Sequence, residues 1–315
     1  MIAVVQFTHP GAEHSLNRDD KKAGSNIKLW NYGGHRRKYM LANGSCVVNN
    51  QVLQNQELLF WGEWEPMSKV APISKHHGSG VLPTLIQYPY LETDKNGKVL
   101  VPWNNGKFRT VKGKKFPLCR QNTDPFVFSS PFIYCWCKQG HFKVLRQLER
   151  GSIILFGSTI SSKIGGPYFV VDTVFVVDKP ISFNQNNYKL LPTPCDFEEI
   201  MGFNENGCWN GNSYNNICYF GASYNNPVNG MYSFVPCHKK EDVVVGFPRL
   251  RLNASIINGL VGKVVVNKNL NASPKCTMMA SVNESKVLWD IISGLADKQG
   301  FLKGFDFKYN KVIAP

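Results

Sequence analysis

Short apolar runs broken by glycine, proline and asparagine recur along this chain, the pattern of strands joined by turns. Residues 4–7, 57–61, 152–156 and 169–177 read most clearly as strands. The last runs Phe169-Val170-Val171-Asp172-Thr173-Val174-Phe175-Val176-Val177, β-branched nearly throughout, which predicts burial on both faces. Gly157-Ser158 and Gly165-Gly166-Pro167 punctuate the link between the last two runs and predict a hairpin. Helical periodicity is confined to a few places. Residues 140–150 set Phe142, Leu145 and Leu148 on one face, with Gly151 as a stop. Residues 283–298 align Val287, Leu288, Ile291, Ile292 and Leu295, behind a Ser281–Glu284 capping box and ahead of Gly300. Weaker helical signals fall at 195–201 and 254–260. The Asn-, Gly- and Tyr-rich stretch 203–230 reads as an elaborated loop, and 17–28 and 94–115 as less ordered. Together these predict an α+β, β-rich fold. One composite domain spans 1–250, and a helical C-terminal appendage, 251–315, packs on it.

With 315 residues, 43% of them hydrophobic, the chain can bury one large core or two ordinary ones. No apolar stretch approaches the ~18 residues of a membrane span. Residues 1–7 are too short for a signal core and lack a basic flank, so a cytoplasmic protein is expected. The nine cysteines include no C-x-x-C pair and the histidines do not fall at zinc-finger spacing. Free, mostly buried thiols are the expectation, with no metal and no other cofactor. Charge changes the picture more. The net charge is +14, and it is lopsided: residues 1–150 hold 21 Lys and Arg against 10 Asp and Glu, a net of +11, and the remainder holds 15 against 12, a net of +3. A one-sided excess sets up a field that attracts polyanions.

The candidate chemistry follows that field. Between 107 and 120 stand Lys107, Arg109, Lys112, Lys114, Lys115 and Arg120 with no acid, preceded by Gly106 and interrupted by Gly113, which predict a loop or hairpin. A second cluster, Arg36, Arg37 and Lys38, lies beside Trp30, Tyr32 and Tyr39. Basic groups neutralise phosphates and aromatics stack on exposed bases; the alternative is a solvated face. In Trp61-Gly62-Glu63-Trp64-Glu65-Pro66, two carboxylates and two tryptophans predict an acidic, aromatic-walled pocket, where burial raises a carboxyl into proton-transfer range. A strand end with paired acids reads equally well. Asp124, before Pro125 and near Phe126, is either a turn-maker or a carboxylate at a pocket mouth. Asp172 interrupts an apolar strand, so it needs a structural partner such as a backbone turn or an arginine. His9, Glu13 and His14 follow the first strand, at a spacing unlike a helical metal pair.

The block Leu145-x-x-Leu148-x-x-Gly151-Ser152-Ile153-Ile154-Leu155-Phe156-Gly157-Ser158, with the return strand through Asp172-Thr173-Val174-Phe175-Val176-Val177, resembles the core of PUA-like domains of the ASCH and EVE types. The resemblance covers segment 140–180. It implies a small curved β-barrel core with flanking helices and long loops, and a pocket for a flipped, often modified, base. Ser152 stands where that family often has an acid. The wider chain is similar to uncharacterised prokaryotic and phage families associated with nucleotide modification, through Trp61–Pro66, Thr123–Phe128 and Gly230–Cys237. That similarity implies a setting of DNA modification or antiviral defence.

The expected partner is a nucleic acid, DNA with modified bases foremost, and no membrane. The leading reading is a base-flipping DNA glycosylase or related base-processing hydrolase. Its catalytic candidates are Glu63, Glu65 and Asp124, then Asp172, and its base pocket holds Trp61, Trp64 and Phe126. The alternatives are a non-enzymatic reader of modified bases and a metal-dependent nuclease built on the His9–His14 loop.

Overall fold

The computed structural model describes residues 1–8, 27–29, 38–64, 67–72, 85–97, 108–111, 114–117, 123–160, 167–184, 186–201, 215–242, 249–268 and 274–313. Strands dominate them. The first half carries β1 (Ala3–Thr8), β2 (Ile27–Leu29), β3 (Lys38–Val48), β4 (Gln51–Gly62), β5 (Met67–Pro72), β6 (Leu85–Thr93), β7 (Phe108–Val111), β8 (Lys114–Pro117) and β9 (Ile133–Tyr134). The second half carries β10 (Ile153–Ile160), β11 (Tyr168–Phe183), α1 (Phe197–Met201), β12 (Asn216–Gly221), β13 (Val235–Lys239) and β14 (Leu250–Leu252). It closes with α2 (Ala254–Val261), β15 (Lys275–Met278), α3 (Val282–Lys298), β16 (Leu302–Lys308) and β17 (Asn310–Ile313). The fold is α+β and β-rich.

Among the described residues the strands form two large mixed sheets. The first runs β15-β1-β10-β11-β12-β9, with β14 also on β11; the second runs β16-β13-β4-β3-β6-β5-β2, with β17 on β6. In the second, β16 pairs with β3 as well as β13, so the pairings of β3, β4, β13 and β16 make a circuit. β7 and β8 form a separate hairpin.

The all-apolar strands are explained by two cores, one on each face of the first sheet. Val5, Phe7, Ile154, Phe156, Phe175 and Val177 point between the sheets, toward Met40, Leu58 and Phe60. Val4, Ile153, Leu155, Val174 and Val176 point the other way, under Ile257 of α2 and Leu288, Trp289 and Ile292 of α3. Each strand therefore needs an apolar residue at every step, as the sequence of β11 predicts.

The expected hairpin is present as the antiparallel pair β10–β11, with a bulge beside Gly157. Phe156 faces Thr173 and Gly157 faces Val171, so Asp172 is the extra residue, turned out of the ladder. A Cβ on Gly157 would lie 1.9 Å from the Val170 carbonyl oxygen, so the close approach of the strands requires glycine there. The β3–β4 hairpin turns through Asn49 and Asn50, both left-handed (φ 48 and 62), the backbone a two-residue hairpin needs.

The helix expected at 283–298 is α3, capped by the Ser281 hydroxyl, which accepts from the Glu284 N–H at 3.3 Å. The weaker signals at 195–201 and 254–260 correspond to α1 and α2. The helix expected at 140–150 is not one: it contains only a 3-10 turn, Lys143–Arg146. The apolar face survives, with Leu145 and Leu148 buried. Helical hydrogen bonds are displaced by tertiary ones, since the Leu148 N–H donates to the Tyr219 hydroxyl and the Glu149 N–H to the Met1 carbonyl. Segment 251–315, expected as a helical appendage, holds α2 and α3 and also lends β15 to the first sheet and β16 and β17 to the second. No described helix is long and apolar enough to cross a membrane.

Candidate functional site

The end of β4 divides the candidate residues into two buried clusters. Trp61 belongs to one, and Glu63 and Trp64 to the other.

In the first cluster the bulge carries Asp172 to Arg249, at the start of β14. The guanidinium clamps the carboxylate with Nε and Nη2 at 2.8 and 2.7 Å, and Nη2 also donates to the Ser158 hydroxyl at 3.2 Å. The two side chains are 2% and 0% exposed. The guanidinium stacks on the Trp61 ring at 4.8 Å, and Trp61 in turn meets Tyr39 at 5.6 Å. Burial pushes the Tyr39 hydroxyl far above its ordinary value, with Cys237 adding to the effect. A charge pair this far from water is tolerated only where the geometry is bidentate and further hydrogen bonds are made, and this one meets both conditions. The cluster sits beside the carboxyl end of β1, because Thr8 pairs with Gly157, the neighbour of Ser158.

In the second cluster Asp124 is 1% exposed. Its Oδ1 accepts from the Cys135 N–H at 3.1 Å, and Oδ2 from the N–H groups of Trp136 and Cys137, each at 2.7 Å. Burial pushes its pKa up to about 7; the three N–H donors work against that, and the neighbouring Glu63 charge adds to it. Trp64 lies edge-on to Phe128 at 4.9 Å and tilted on Tyr309 at 5.1 Å, while Phe126 packs on Phe197 at 5.2 Å. A polar rim borders these rings. Tyr309 donates its hydroxyl proton to Asp196 at 2.5 Å, and Lys311 pairs with the same carboxylate. Burial raises Asp196, but the Lys311 and Tyr309 contacts outweigh it and hold the carboxyl below its usual range.

The structure thus joins Trp61 to Asp172 through Arg249, and Glu63 to Asp124 beside Trp64 and Phe126; it does not merge the two sets. Trp61, Trp64 and Phe126 are at most 2% exposed, so all three rings are packed against protein. Of the basic residues, Lys38 lies on β3, Arg109 on β7, and Lys114 and Lys115 on β8, with side chains outside the described residues. The expected hairpin in the basic run is β7–β8. Arg36, Arg37, Lys107, Lys112, Arg120, Glu65, His9, Glu13 and His14 lie outside the described residues. Among those described, no group of three or more His, Cys, Asp and Glu side chains is placed to hold a metal ion.

Sequence reasoning missed Arg249, Tyr309, Asp196 and Lys311. Arg249 is 77 residues from Asp172 and carries no local pattern; the only signal was that a carboxylate inside an apolar strand demands a cation somewhere. No family model, curated protein or solved structure matches the chain.

Proposed function

We infer that the protein binds a nucleic acid through its basic first half and holds a flipped, modified base of DNA as a reader. The observation that carries this reading is the segregation of charge, +11 in residues 1–150 against +3 in the rest. Three residues of its densest run, Arg109, Lys114 and Lys115, lie on β7–β8, a two-stranded sheet separate from the two large ones. The PUA-like resemblance of 140–180, with its bulged β10–β11 hairpin, supports base recognition and a curved-barrel core. Reading is favoured over cleavage because Asp172 is committed to Arg249 and Asp124 to three backbone donors. A carboxylate so held is spent on the fold. The glycosylase reading keeps one supporting observation: Asp124 is held near pKa 7 beside Glu63, within the range of a proton-transfer group.

The test is equilibrium binding to modified and unmodified phage DNA across a salt series, with abasic sites assayed in the same incubations. Tighter binding to modified DNA without abasic sites is the expected result. Replacing Lys112, Lys114 and Lys115 by Ala should weaken binding to every sequence and reduce the salt slope by about 0.9 for each phosphate that is no longer neutralised. An unchanged slope overturns the basic hairpin as the contact. Abasic sites would move the conclusion to the glycosylase.

A further inference from the structure

Cys135 and Cys218 stand one step past the last pair of the antiparallel strands β9 and β12. The register sets Tyr219 opposite Tyr134 and Phe220 opposite Ile133, and continued one step past its last pair it would set Cys218 opposite Cys135. The Gly221 N–H donates to the Phe132 carbonyl at 2.8 Å, which makes those two a hydrogen-bonded pair. Alternation along the ladder then makes Tyr219/Tyr134 a bonded pair and Cys218/Cys135 a non-bonded one. The Cys135 N–H agrees with this, since it points away from β12 to Asp124 at 3.1 Å. At non-bonded positions the Cα atoms are about 4.5 Å apart and the side chains are closest. That lies within the ~4.4–6.8 Å span of a disulfide. Cys218 is close enough to Cys135 to help raise its thiol pKa, and both side chains are free and fully buried.

We propose that Cys135 and Cys218 are an oxidative modification site, joined on exposure to peroxide by an intramolecular disulfide that staples β9 to β12. One sulfur attacks hydrogen peroxide and becomes a sulfenic acid, releasing water. The second sulfur displaces the hydroxyl from the first, releasing a second water. The two thiols give up two electrons and two protons, and the peroxide is reduced to two waters. Burial raises the Cys135 thiol well above its ordinary value, so thiolate is scarce in the closed state and the reaction waits on local opening. β9 suits that requirement: it is a two-residue strand at the end of its sheet, its outer side held by the bridge from Ile133 to Phe126. The bond would also fix the turn whose Cys135, Trp136 and Cys137 N–H groups cradle Asp124.

Cys46 and Cys237 supply an internal control. Burial raises Cys237 and nearby Cys46 raises it further, so those two are also close in space. They sit on β3 and β13, however, with β16 between them, Cys46 opposite Gly304 and Cys237 opposite Leu302. They are therefore not directly opposed residues of neighbouring strands: the two are out of step by two residues along β16, from Leu302 to Gly304.

The experiment uses the full chain, oxidised with hydrogen peroxide in the presence and absence of a sub-denaturing urea concentration. It is then unfolded, alkylated, digested without reductant and mapped by mass spectrometry. The expected product is a peptide pair joining Cys135 to Cys218, formed faster in urea and absent after reduction, with Cys46 and Cys237 recovered alkylated. Its unfolding midpoint should rise by about 5 °C or more, because the bond closes a long loop. Cys46→Ser should leave the link unchanged and Cys218→Ser should abolish it. Recovery of both Cys135 and Cys218 as alkylated thiols under both conditions overturns the proposal. So does a link that joins either of them to another cysteine instead. The map of the unaltered chain decides by itself, should a variant fail to fold.

Discussion

At the scale of single residues, burial has turned charges into structural parts with large and opposite vulnerabilities. Arg249→Ala would leave the Asp172 carboxylate buried without its guanidinium, at a cost of about 3–5 kcal/mol. Joining it to Asp172→Asn and making the first change Arg249→Met should recover most of that loss, because no charge is then stranded. Urea midpoints of the single and double variants check this; a double variant no better than Arg249→Ala would mean that the pair itself, not the stranded charge, holds the site. Asp124 predicts a pH effect of unusual sign. Its folded carboxyl, near 7, binds a proton more tightly than the same group does at its ordinary value of 3.8. Between those values the folded state keeps a proton that the unfolded chain has released, so this residue's contribution falls as pH rises from about 4 to 7. Asp124→Asn should therefore lose stability at every pH, through lost acceptor capacity, yet show a flatter melting profile over pH 4–7. A slope over pH 4–7 unchanged by the substitution would mean that the three N–H donors dominate and the folded carboxyl titrates no higher than its ordinary value. The sequence made Asp172's need for a cation legible but not its partner, because the bulge that aims it depends on register and not on composition.

At the scale of elements, two glycines separate close approach from mere permissiveness. Gly157→Ala should cost about 1–3 kcal/mol, since its Cβ meets backbone and the bulge must shift. Asp172 would move with it, so a broken Asp172–Arg249 pair in a crystal structure should accompany the fall in stability. Gly294→Ala, inside α3 where a Cβ meets nothing within 4 Å, should instead stabilise by about 0.5–1 kcal/mol. Thermal melts of the two variants, run together, read both signs; a destabilised Gly294→Ala would point to a contact on that face. These differences explain which elements could be read in advance. β11 is long and enclosed by both cores, and α3 is long and packs one face on the second, so pattern alone identifies them. Residues 140–150 have a helical pattern but too few residues to keep helical hydrogen bonds once Tyr219 and Met1 compete for the same donors. β9 and β14 have two and three residues, too short for any period.

At the scale of the whole molecule, the sheets are assembled from residues far apart in the chain. β1 pairs with β10 and β15, and β16 lies between β13 and β3. None of these partners was legible, because strand pairing over such separations is chosen by the core as a whole. A chain ending at residue 273 would lack β15, α3, β16 and β17. It would expose the face that Leu288, Trp289 and Ile292 cover and open an edge in each sheet. Loss of a cooperative urea transition and of near-ultraviolet dichroism is the expected outcome. A truncated chain that still unfolded in one sharp step would mean that the remaining strands carry the fold alone.

The position of β16 also sets a schedule for synthesis. β3 and β4 have emerged once residue 62 is made, but β16, which covers the far half of β3, begins only at residue 302. At about 5–20 residues per second, a ribosome needs roughly 10–50 s to cross that gap. Throughout it the backbone donors and acceptors of β3 stand open beside an apolar core, the arrangement most prone to pairing with another nascent chain. The cost of completing one sheet with a late strand is thus borne before the protein exists, as a window in which crowding on the same message, rather than the stability of the finished fold, decides how much of it survives.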